Sequence, residues 1–190
     1  MGKGNEESLI REILAGEVDK YEEIVRSYQN RMAGLAFRMG VHYDDIEDLA
    51  IEILTKAFRN LHLYRPMYAF STWIYRLGIN HIRDHHRRRR REAGKEPMRD
   101  DLSTEGPSAL QTLETSQRNL DIQNAVNRLP ERYRLPLFLL HLEEKSLEEI
   151  AGILELPTGT VKSRLHRGRQ QLRKILRRDF PHLEKSVGDD

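Results

Sequence analysis

Ser146 to Arg178 reads SLEEIAGILELPTGTVKSRLHRGRQQLRKILRR, and how this stretch is read decides the fold. Leu147, Ile150, Ala151 and Leu154 recur at three- and four-residue steps, the mark of one face of a short helix. Ser146 stands three residues before Glu149, the S-x-x-E arrangement of a capping box. Glu155-Leu156-Pro157-Thr158 then interrupts the pattern, and Thr158 is placed to N-cap a second helix. On a wheel of 3.6 residues per turn, Val161, Leu165, Gly168, Leu172 and Ile175 make a packing stripe. Ser163, His166, Arg167 and Gln170 lie opposite, flanked by Lys162 and Arg164. Ala151 is small enough for two helices to cross closely, and Leu156 can plug the angle between them. A short helix, a tight turn and a long basic helix make a helix-turn-helix.

That pattern gives the charges a purpose. No acid occurs from Lys162 to Arg178. A solvated cationic helix would carry the same run, but it would not need the capped helix and turn in front of it. Arg pairs bidentately with guanine, and hydroxyl or amide groups take other base edges. The candidate base readers are Thr160, Lys162, Ser163, Arg164, Arg167 and Gln170. Arg169, Arg173, Lys174, Arg177 and Arg178 suit phosphates or solvent.

Working outward, helices are expected over 113–128, 131–142, 147–154 and 159–178. Pro130 suits a helix start, whereas Pro136 removes a hydrogen bond mid-helix and should kink it. Upstream, residues 92–111 read EAGKEPMRDDLSTEGPSALQ, with Gly, Pro and charges and no apolar period. This is a flexible acidic linker. It divides the chain into a front domain over 1–91, a linker over 92–112, a rear domain over 113–180 and a tail over 181–190.

The front domain is helical throughout. Tyr21, Ile24, Val25, Tyr28, Met32, Leu35, Ala36 and Met39 keep helical spacing, and Gly40 stops the helix. Ile46, Leu49, Ala50, Ile53, Leu54, Ala57, Phe58 and Leu61 repeat it, with Asp44 or Asp45 as N-cap. A third helix starts near Ser71 after the break at Pro66, with Trp73, Ile74, Leu77 and Ile82 on one side. A shorter helix, Glu6 to Leu14, precedes these. No stretch alternates with period two, so the fold class is all-α: two small helical domains.

Phe70 to Arg90, FSTWIYRLGINHIRDHHRRRR, carries the second motif. Phe70, Trp73 and Tyr75 lie near Arg76, Asn80, Arg83 and the arginine run, and YRPMYAF upstream adds Tyr64, Arg65 and Tyr68 in a loop. Cations that follow a backbone, beside aromatic faces or a pocket for unstacked bases, are what a single-stranded nucleic acid site needs. Core packing is the plainer role for Trp73. Histidines facing phosphate account for His81, His85 and His86 better than a metal does, because a third ligand is lacking and arginines adjoin them. No metal site and no cofactor are expected.

Composition agrees. Charged residues are 33%, apolar 38% and aromatic 7%, a helix-favouring globular profile. With no cysteine, disulfides and thiolate zinc sites are excluded. No apolar run approaches the roughly 20 residues of a membrane span, and the N-terminus lacks a signal core, so the expected compartment is the cytoplasm. Net charge is only +2, yet residues 1–91 carry +3, residues 92–127 carry −4 and residues 128–190 carry +3. Two basic foci around an acidic segment suggest two contacts with one polyanion.

The two motifs, in this order, resemble a bacterial RNA polymerase sigma factor of the small extracytoplasmic-function (ECF) group, over about Tyr21 to Arg177. SLEEIAGILELPTGTVKSRLHRGRQQLRK is similar to the family's region 4.2, and LPERYRLPLFLLHLE to its region 4.1. FSTWIYRLGINHIRDHHRRR resembles regions 2.3 and 2.4, and DDIEDLAIEILTKAF resembles region 2.2. The resemblance implies sigma domain 2 in front and sigma domain 4 behind. It implies reading of the duplex −35 element by Lys162, Ser163, Arg164 and Arg167. It implies capture of the single-stranded −10 element by Arg65, Phe70, Arg76, Asn80, Arg83 and Arg87, with the loop from Leu63 to Phe70 receiving a flipped base. Asp45, Asp48, Leu49, Glu52 and Phe58 match the surface that docks on core RNA polymerase. The implied partners are the polymerase β′ clamp helices and β flap, promoter DNA and an anti-sigma factor. Where the family usually has Gln after D-L-x, this chain has Ile51, and Gly78 stands where Ala is common. The chain is not expected to be an enzyme. The alternatives are a conventional helix-turn-helix activator on duplex operator and a metal-dependent hydrolase using His81 and His85, which lacks a carboxylate pair or nucleophile motif.

Overall fold

A computed structural model describes residues 3–92 and 117–182. The expected linker and most of the tail lie outside the described residues, as does the expected helix start near Leu113. Among the described residues there is no strand. The chain divides into two compact units, a front one holding the residues up to Glu92 and a rear one holding most of those from Gln117 on.

The front unit contains α1 (Lys3–Leu14), α2 (Tyr21–Arg38), α3 (Tyr43–Arg59) and α4 (Phe70–Glu92), with short 3-10 turns at Val18–Lys20 and Leu61–Leu63. Its core is the expected set: Ile24, Tyr28, Met32 and Leu35 of α2 meet Ile46, Leu49, Ile53 and Leu54 of α3. Each such buried side chain contributes roughly 1.5–3 kcal/mol of transfer free energy. Gly40 ends α2 as the spacing predicts. With φ at 78°, it lets Val41 N–H donate to the Ala36 carbonyl and its own N–H to that of Phe37, the paired bonds of a Schellman turn.

Two details differ from expectation. The N-cap of α3 is His42, not Asp44 or Asp45; its carbonyl accepts from Asp45 N–H at 3.0 Å, and both acids sit in the first turn. The extended backbone of His42 gives the cap geometry, while the helix dipole still favours the acids one step inside. On α4 the buried stripe is Phe70, Ile74, Tyr75, Gly78, Ile79 and Ile82, leaving Trp73 and Leu77 half-buried at its edge. Gly78, not Leu77, lies against Leu35 and Met32 of α2 and Ile53 of α3, so the buried face is rotated by one residue from the expected one.

The described residues from Gln117 on form α5 (Gln117–Asn127), α6 (Glu131–His141), α7 (Leu147–Leu154) and α8 (Thr158–Asp179). Helix α6 is buried nearly all round, through Tyr133, Leu135, Pro136, Leu137, Phe138 and Leu139. It continues through Pro136 as one helix. Arg134 is 1% exposed. Its Nη1 donates to the carbonyls of Asn127 at 2.6 Å and Leu129 at 3.1 Å, satisfying acceptors that the end of α5 leaves over. Helix α8 lies against α6, where Gly168 brings the backbones together. A Cβ there would sit 3.0 Å from Leu137 Cδ1 and 3.3 Å from Tyr133 Cβ. Further along, Leu172, Ile175 and Phe180 pack on Ala125 and Leu176.

Candidate nucleic-acid interface

The turn that aims α8 is built locally. The capping box forms reciprocally: Glu149 N–H donates to Ser146 Oγ at 3.1 Å and Ser146 N–H to Glu149 Oε2 at 2.9 Å. Ile150 and Ile153 are the buried positions of α7, while Leu147, Ala151 and Leu154 are half-buried. Helix α7 ends with Leu156 N–H donating to the Ala151 carbonyl at 3.0 Å, which requires Glu155 at φ 55°, a left-handed position usually given to glycine. Thr158 is not the cap of α8. It is the first helical residue, and Pro157 caps by its carbonyl, which accepts from Thr160 N–H at 2.8 Å and Val161 N–H at 3.1 Å. Pro157 has the extended backbone a cap needs and no N–H of its own to satisfy.

Beyond the turn, Val161, Leu165 and Gly168 are buried, and Lys162, Ser163, His166, Arg167 and Gln170 are exposed as the wheel requires. Thr160 and Arg164 are half-buried at its edges. Ser163 Oγ donates to the Thr160 carbonyl at 2.9 Å, leaving its oxygen to accept. Gln170 Nε2 lies 3.1 Å from His166 Nε2. Hydrogen bonding to Arg132, with Arg167 adding to it, holds the Tyr133 hydroxyl below its ordinary range.

In the front unit, Arg76, Asn80, Arg83 and Arg87 are all exposed, at steps of four, three and four residues, so they form one stripe along α4. Arg87 also pairs with Asp84. At the start of this helix the loop of residues 64–69 is closed by Tyr64 Oη donating to the Tyr68 carbonyl at 2.8 Å. Burial, with Glu7 and Glu6 adding to it, pushes the Tyr64 hydroxyl above its ordinary value, so it stays a donor. Beneath, Tyr64, Phe70 and Trp73 pack ring to ring at 5.5–5.8 Å. Above, Met67 is 80% and Tyr68 61% exposed, and Arg65 is exposed beside them.

Phe70 is a correction. At 1% exposure, edge-on to Tyr28 at 5.6 Å, it has no face to offer a base; it supports the loop instead. The histidines are a second. His81 meets Glu52 at 2.9 Å and His85 lies 4.0 Å from Asp45, so both turn toward the acids of α3 rather than outward to phosphate. Burial pushes the His85 imidazole below its ordinary value, against the pull of Asp45. Among the described residues, no group of three or more His, Cys, Asp or Glu is placed to hold a metal.

Helix α3 carries a third surface. Asp48, Ile51, Glu52 and Phe58 are exposed, but Leu49 is only 2% exposed and belongs to the core. Its place in the spacing explains this: Leu49 falls on the Ile46–Ile53 stripe. Asp45 is engaged by Arg89 at 2.6 Å.

Comparison with known proteins decides what these surfaces belong to. Residues 24–92 match the family model for Sigma-70 region 2, and residues 119–172 that for Sigma-70, region 4. The chain is 33% identical over 177 residues to the ECF RNA polymerase sigma factor SigW of Bacillus subtilis, covering 88% of this chain and 95% of that one. It is 37% identical over 170 residues to the ECF sigma factor SigE of Mycolicibacterium smegmatis, spanning 88% of this chain and 65% of that protein. The chain belongs to the ECF sigma factors. In fold it is similar to solved structures of CnrH in complex with the cytosolic domain of CnrY and of the sigma factor RpoE with the anti-sigma factor NepR from Bartonella quintana. Each has a TM-score of 0.66, with 21% and 23% identity, 90% and 84% of this chain and 96% and 98% of the other chain covered.

As a sigma factor it directs RNA polymerase to promoters for transcription initiation, and the operator-bound activator is not favoured. No described helix is long and apolar enough to cross a membrane. Of the residues expected to make contacts in the ECF sigma factor, those of α8 share one patch, Arg76, Asn80, Arg83 and Arg87 form the α4 stripe and Asp48, Glu52 and Phe58 are exposed on α3, while Arg65 lies on the loop and Phe70 and Leu49 are buried. It also adds residues that sequence reasoning did not single out. Met67 lay in a loop without periodicity. Lys56, Arg88 and Arg91 border one groove with His81, Asp84 and Arg87, of about 390 Å³. Only the close approach of α3 and α4, which no local pattern encodes, joins them.

Proposed function

We propose that the two units of this sigma factor divide promoter recognition between duplex and melted DNA. In this reading Lys162, Ser163, Arg164 and Arg167 of α8, with Thr160 and Gln170 at the edges, read the upstream −35 element in the major groove. Arg76, Asn80, Arg83 and Arg87, with Arg65, track one unpaired strand of the −10 element. The raised loop receives a base against Tyr68 and Met67. The observation that carries this reading is the α4 stripe running from a loop whose tip exposes Met67 and Tyr68. An ordinary surface has little reason to raise apolar side chains beside cations, while an unstacked base needs both.

The mechanism is differential binding. The front unit makes its base contacts only with unpaired DNA, so open promoter is bound more tightly than closed promoter, and the equilibrium shifts toward melting. The chain itself performs no bond chemistry in this reading; the polymerase does. The exposed face of α3, with Asp48, Ile51 and Phe58, docks on the β′ clamp helices, while Asp45 and Glu52 hold that face against α4. The rear unit meets the β flap. An anti-sigma factor holds the protein inactive in the cytoplasm, as the complexes of its structural neighbours suggest by analogy.

The test is reconstitution. Purified protein is added to core polymerase with a library of promoter fragments, and start sites are mapped. Specific starts that depend on the protein are expected. No complex with core polymerase, or duplex binding that needs no polymerase, overturns the reading. Arg167→Ala should lower selection at the upstream element by about 1–3 kcal/mol while leaving polymerase binding unchanged.

A further inference from the structure

Helix α1 buries a carboxylate that its own packing does not explain. Leu9, Ile10 and Ile13 give α1 an apolar face, yet Glu6, one turn ahead of Ile10, is only 7% exposed. Glu6 accepts from Tyr28 Oη of α2 at 2.7 Å. A carboxylate taken out of water is costlier than an apolar side chain in the same space, so its contribution must lie in the bond it makes. A hydrogen bond to a carboxylate is roughly twice as strong as a neutral one and holds its donor in one direction. That donor belongs to a stack of rings. Tyr28 is buried and stands edge-on to Phe70 at 5.6 Å. Phe70 stands edge-on to Tyr64 at 5.5 Å, and Tyr64 Oη closes the loop of residues 64–69 on the Tyr68 carbonyl. Edge-to-face pairs depend on ring angle, so a rotation of Tyr28 passes to Phe70 and on to Tyr64. Glu6 and Glu7 also help to keep the Tyr64 hydroxyl protonated, which the loop bond requires.

We propose that α1 positions the base-receiving loop. Glu6 orients Tyr28, Tyr28 orients Phe70, and Tyr64 carries that orientation to Met67 and Tyr68, the exposed side chains that meet the unpaired base. Glu6 and Tyr28 are positioning residues for base selection: both are buried, and they act on the base only through the rings between. A site tells one base from another only while it is held within about 0.5 Å of the right geometry. A loop free to rock on its rings would admit all four bases almost alike. The chain of contacts starts on α1, crosses α2 and ends at the start of α4, so the first helix of the front unit governs a choice made at the loop. The inference rests on the proposed function, because it names what fixes the loop that takes the base.

The experiment compares holoenzymes carrying wild-type protein, Tyr28→Phe, Glu6→Ala and Glu6→Gln. Each binds promoter fragments whose −10 strand is left unpaired and which differ only in the base offered to the loop. The wild type sets the preferred base and its affinity ratio over the others. Tyr28→Phe, which keeps the ring, and Glu6→Ala should each lower that ratio about tenfold, the contribution of one hydrogen bond to a charged group. Glu6→Gln keeps an acceptor and should stay within about twofold of the wild type. Affinity for core polymerase and selection at the upstream element should not change. A merely structural role would weaken binding to every fragment equally; that result, with the ratio intact, overturns the proposal. So does a Glu6→Gln protein that fares no better than Glu6→Ala. Trp73 lies 5.5 Å from Phe70 and 5.8 Å from Tyr64, so its emission in the free protein reports the ring stack. Emission should shift in Tyr28→Phe and not in Glu6→Gln, and unchanged emission in all variants overturns the proposal. If Glu6→Ala fails to fold, Tyr28→Phe, which opens almost no cavity, carries the comparison. A wild type that binds all the fragments alike is a different outcome: there the base-receiving loop itself fails, before any variant is compared.

Discussion

Gly78 and Gly168 occupy helix interiors, and the same substitution should act on them with opposite sign. Glycine in a helix costs about 1 kcal/mol relative to alanine, so each Gly→Ala change starts with that gain. What the new methyl meets decides the rest. At Gly78 it meets Leu35 Cδ2 at 3.1 Å and Met32 Sδ at 3.2 Å. Both are far ends of flexible side chains, and methionine adapts to small changes of shape. A shift of a few tenths of an ångström relieves the contact, so Gly78→Ala should stabilise the front unit by about 0.5 kcal/mol. At Gly168 the methyl meets Leu137 Cδ1 at 3.0 Å and Tyr133 Cβ at 3.3 Å. Tyr133 Cβ moves only with the backbone of α6, so α8 must shift bodily. Overpacking of this kind costs about 1–3 kcal/mol, which exceeds the propensity gain and leaves a net loss of about 1 kcal/mol. A loss of that size lowers the melting temperature of a domain of this length by about 4–8 °C. The single tryptophan, Trp73, reports urea unfolding of the front unit, and amide hydrogen exchange along α8 reports the rear. A Gly168→Ala protein more stable than the parent would refute the close approach of α6 and α8. Destabilisation of the front unit by Gly78→Ala would show that Leu35 and Met32 cannot yield.

Particular contacts give three further outcomes. Arg134→Met keeps most of the buried stem but removes the donors to Asn127 and Leu129; it should destabilise the rear unit by about 2 kcal/mol in urea titrations, and a neutral result would mean that desolvation of the guanidinium had cancelled its bonds. His85 has a folded-state pKa below the ordinary 6.5, chiefly through burial, so the unfolded chain takes up the proton first as pH falls; stability is full above about 6.5 and declines as pH drops through that value toward the folded pKa. His85→Gln should flatten that decline when front-unit stability is followed by Trp73 fluorescence between about pH 7.5 and 5.5, and an unchanged slope would remove His85 as its source. Ile51 is 52% exposed on α3, so Ile51→Asp should weaken core polymerase binding about tenfold in a competition assay without lowering thermal stability.

Periodicity made most of the fold legible. The α2 and α3 stripes, the Gly40 stop, the capping box at Ser146 and the packing face of α8 are all where spacing places them, because each depends on residues within a few positions of one another. The misreadings share a cause. Thr158 and Asp45 are good capping residues, yet Pro157 and His42 hold the extended backbone that a cap needs, and propensity ranks side chains rather than backbones. Phe70 and Leu49 lie within motifs that resemble contact surfaces, but a motif does not say which of its residues face inward. Neighbours distant in sequence decide that, such as Tyr28 against Phe70.

The contacts between α3 and α4 connect these observations. Asp45 and Glu52 both fall within the set expected to dock on polymerase, yet their carboxylates reach Arg89 and His81 of the helix that carries the DNA stripe. One flank of α3 is therefore occupied internally, which narrows the docking surface proposed for it to the outward positions around Asp48, Ile51 and Phe58. The same pairing engages Arg89 and His81 of α4, while Arg76, Asn80, Arg83 and Arg87 are exposed. The two pairs, Asp45 with Arg89 and Glu52 with His81, run antiparallel along the side of α4 next to α3. Removing one acid would leave its basic partner without its charge on α3 and loosen that contact. Loss of either carboxylate should therefore affect DNA opening as well as polymerase docking, because α3 and α4 share both pairs.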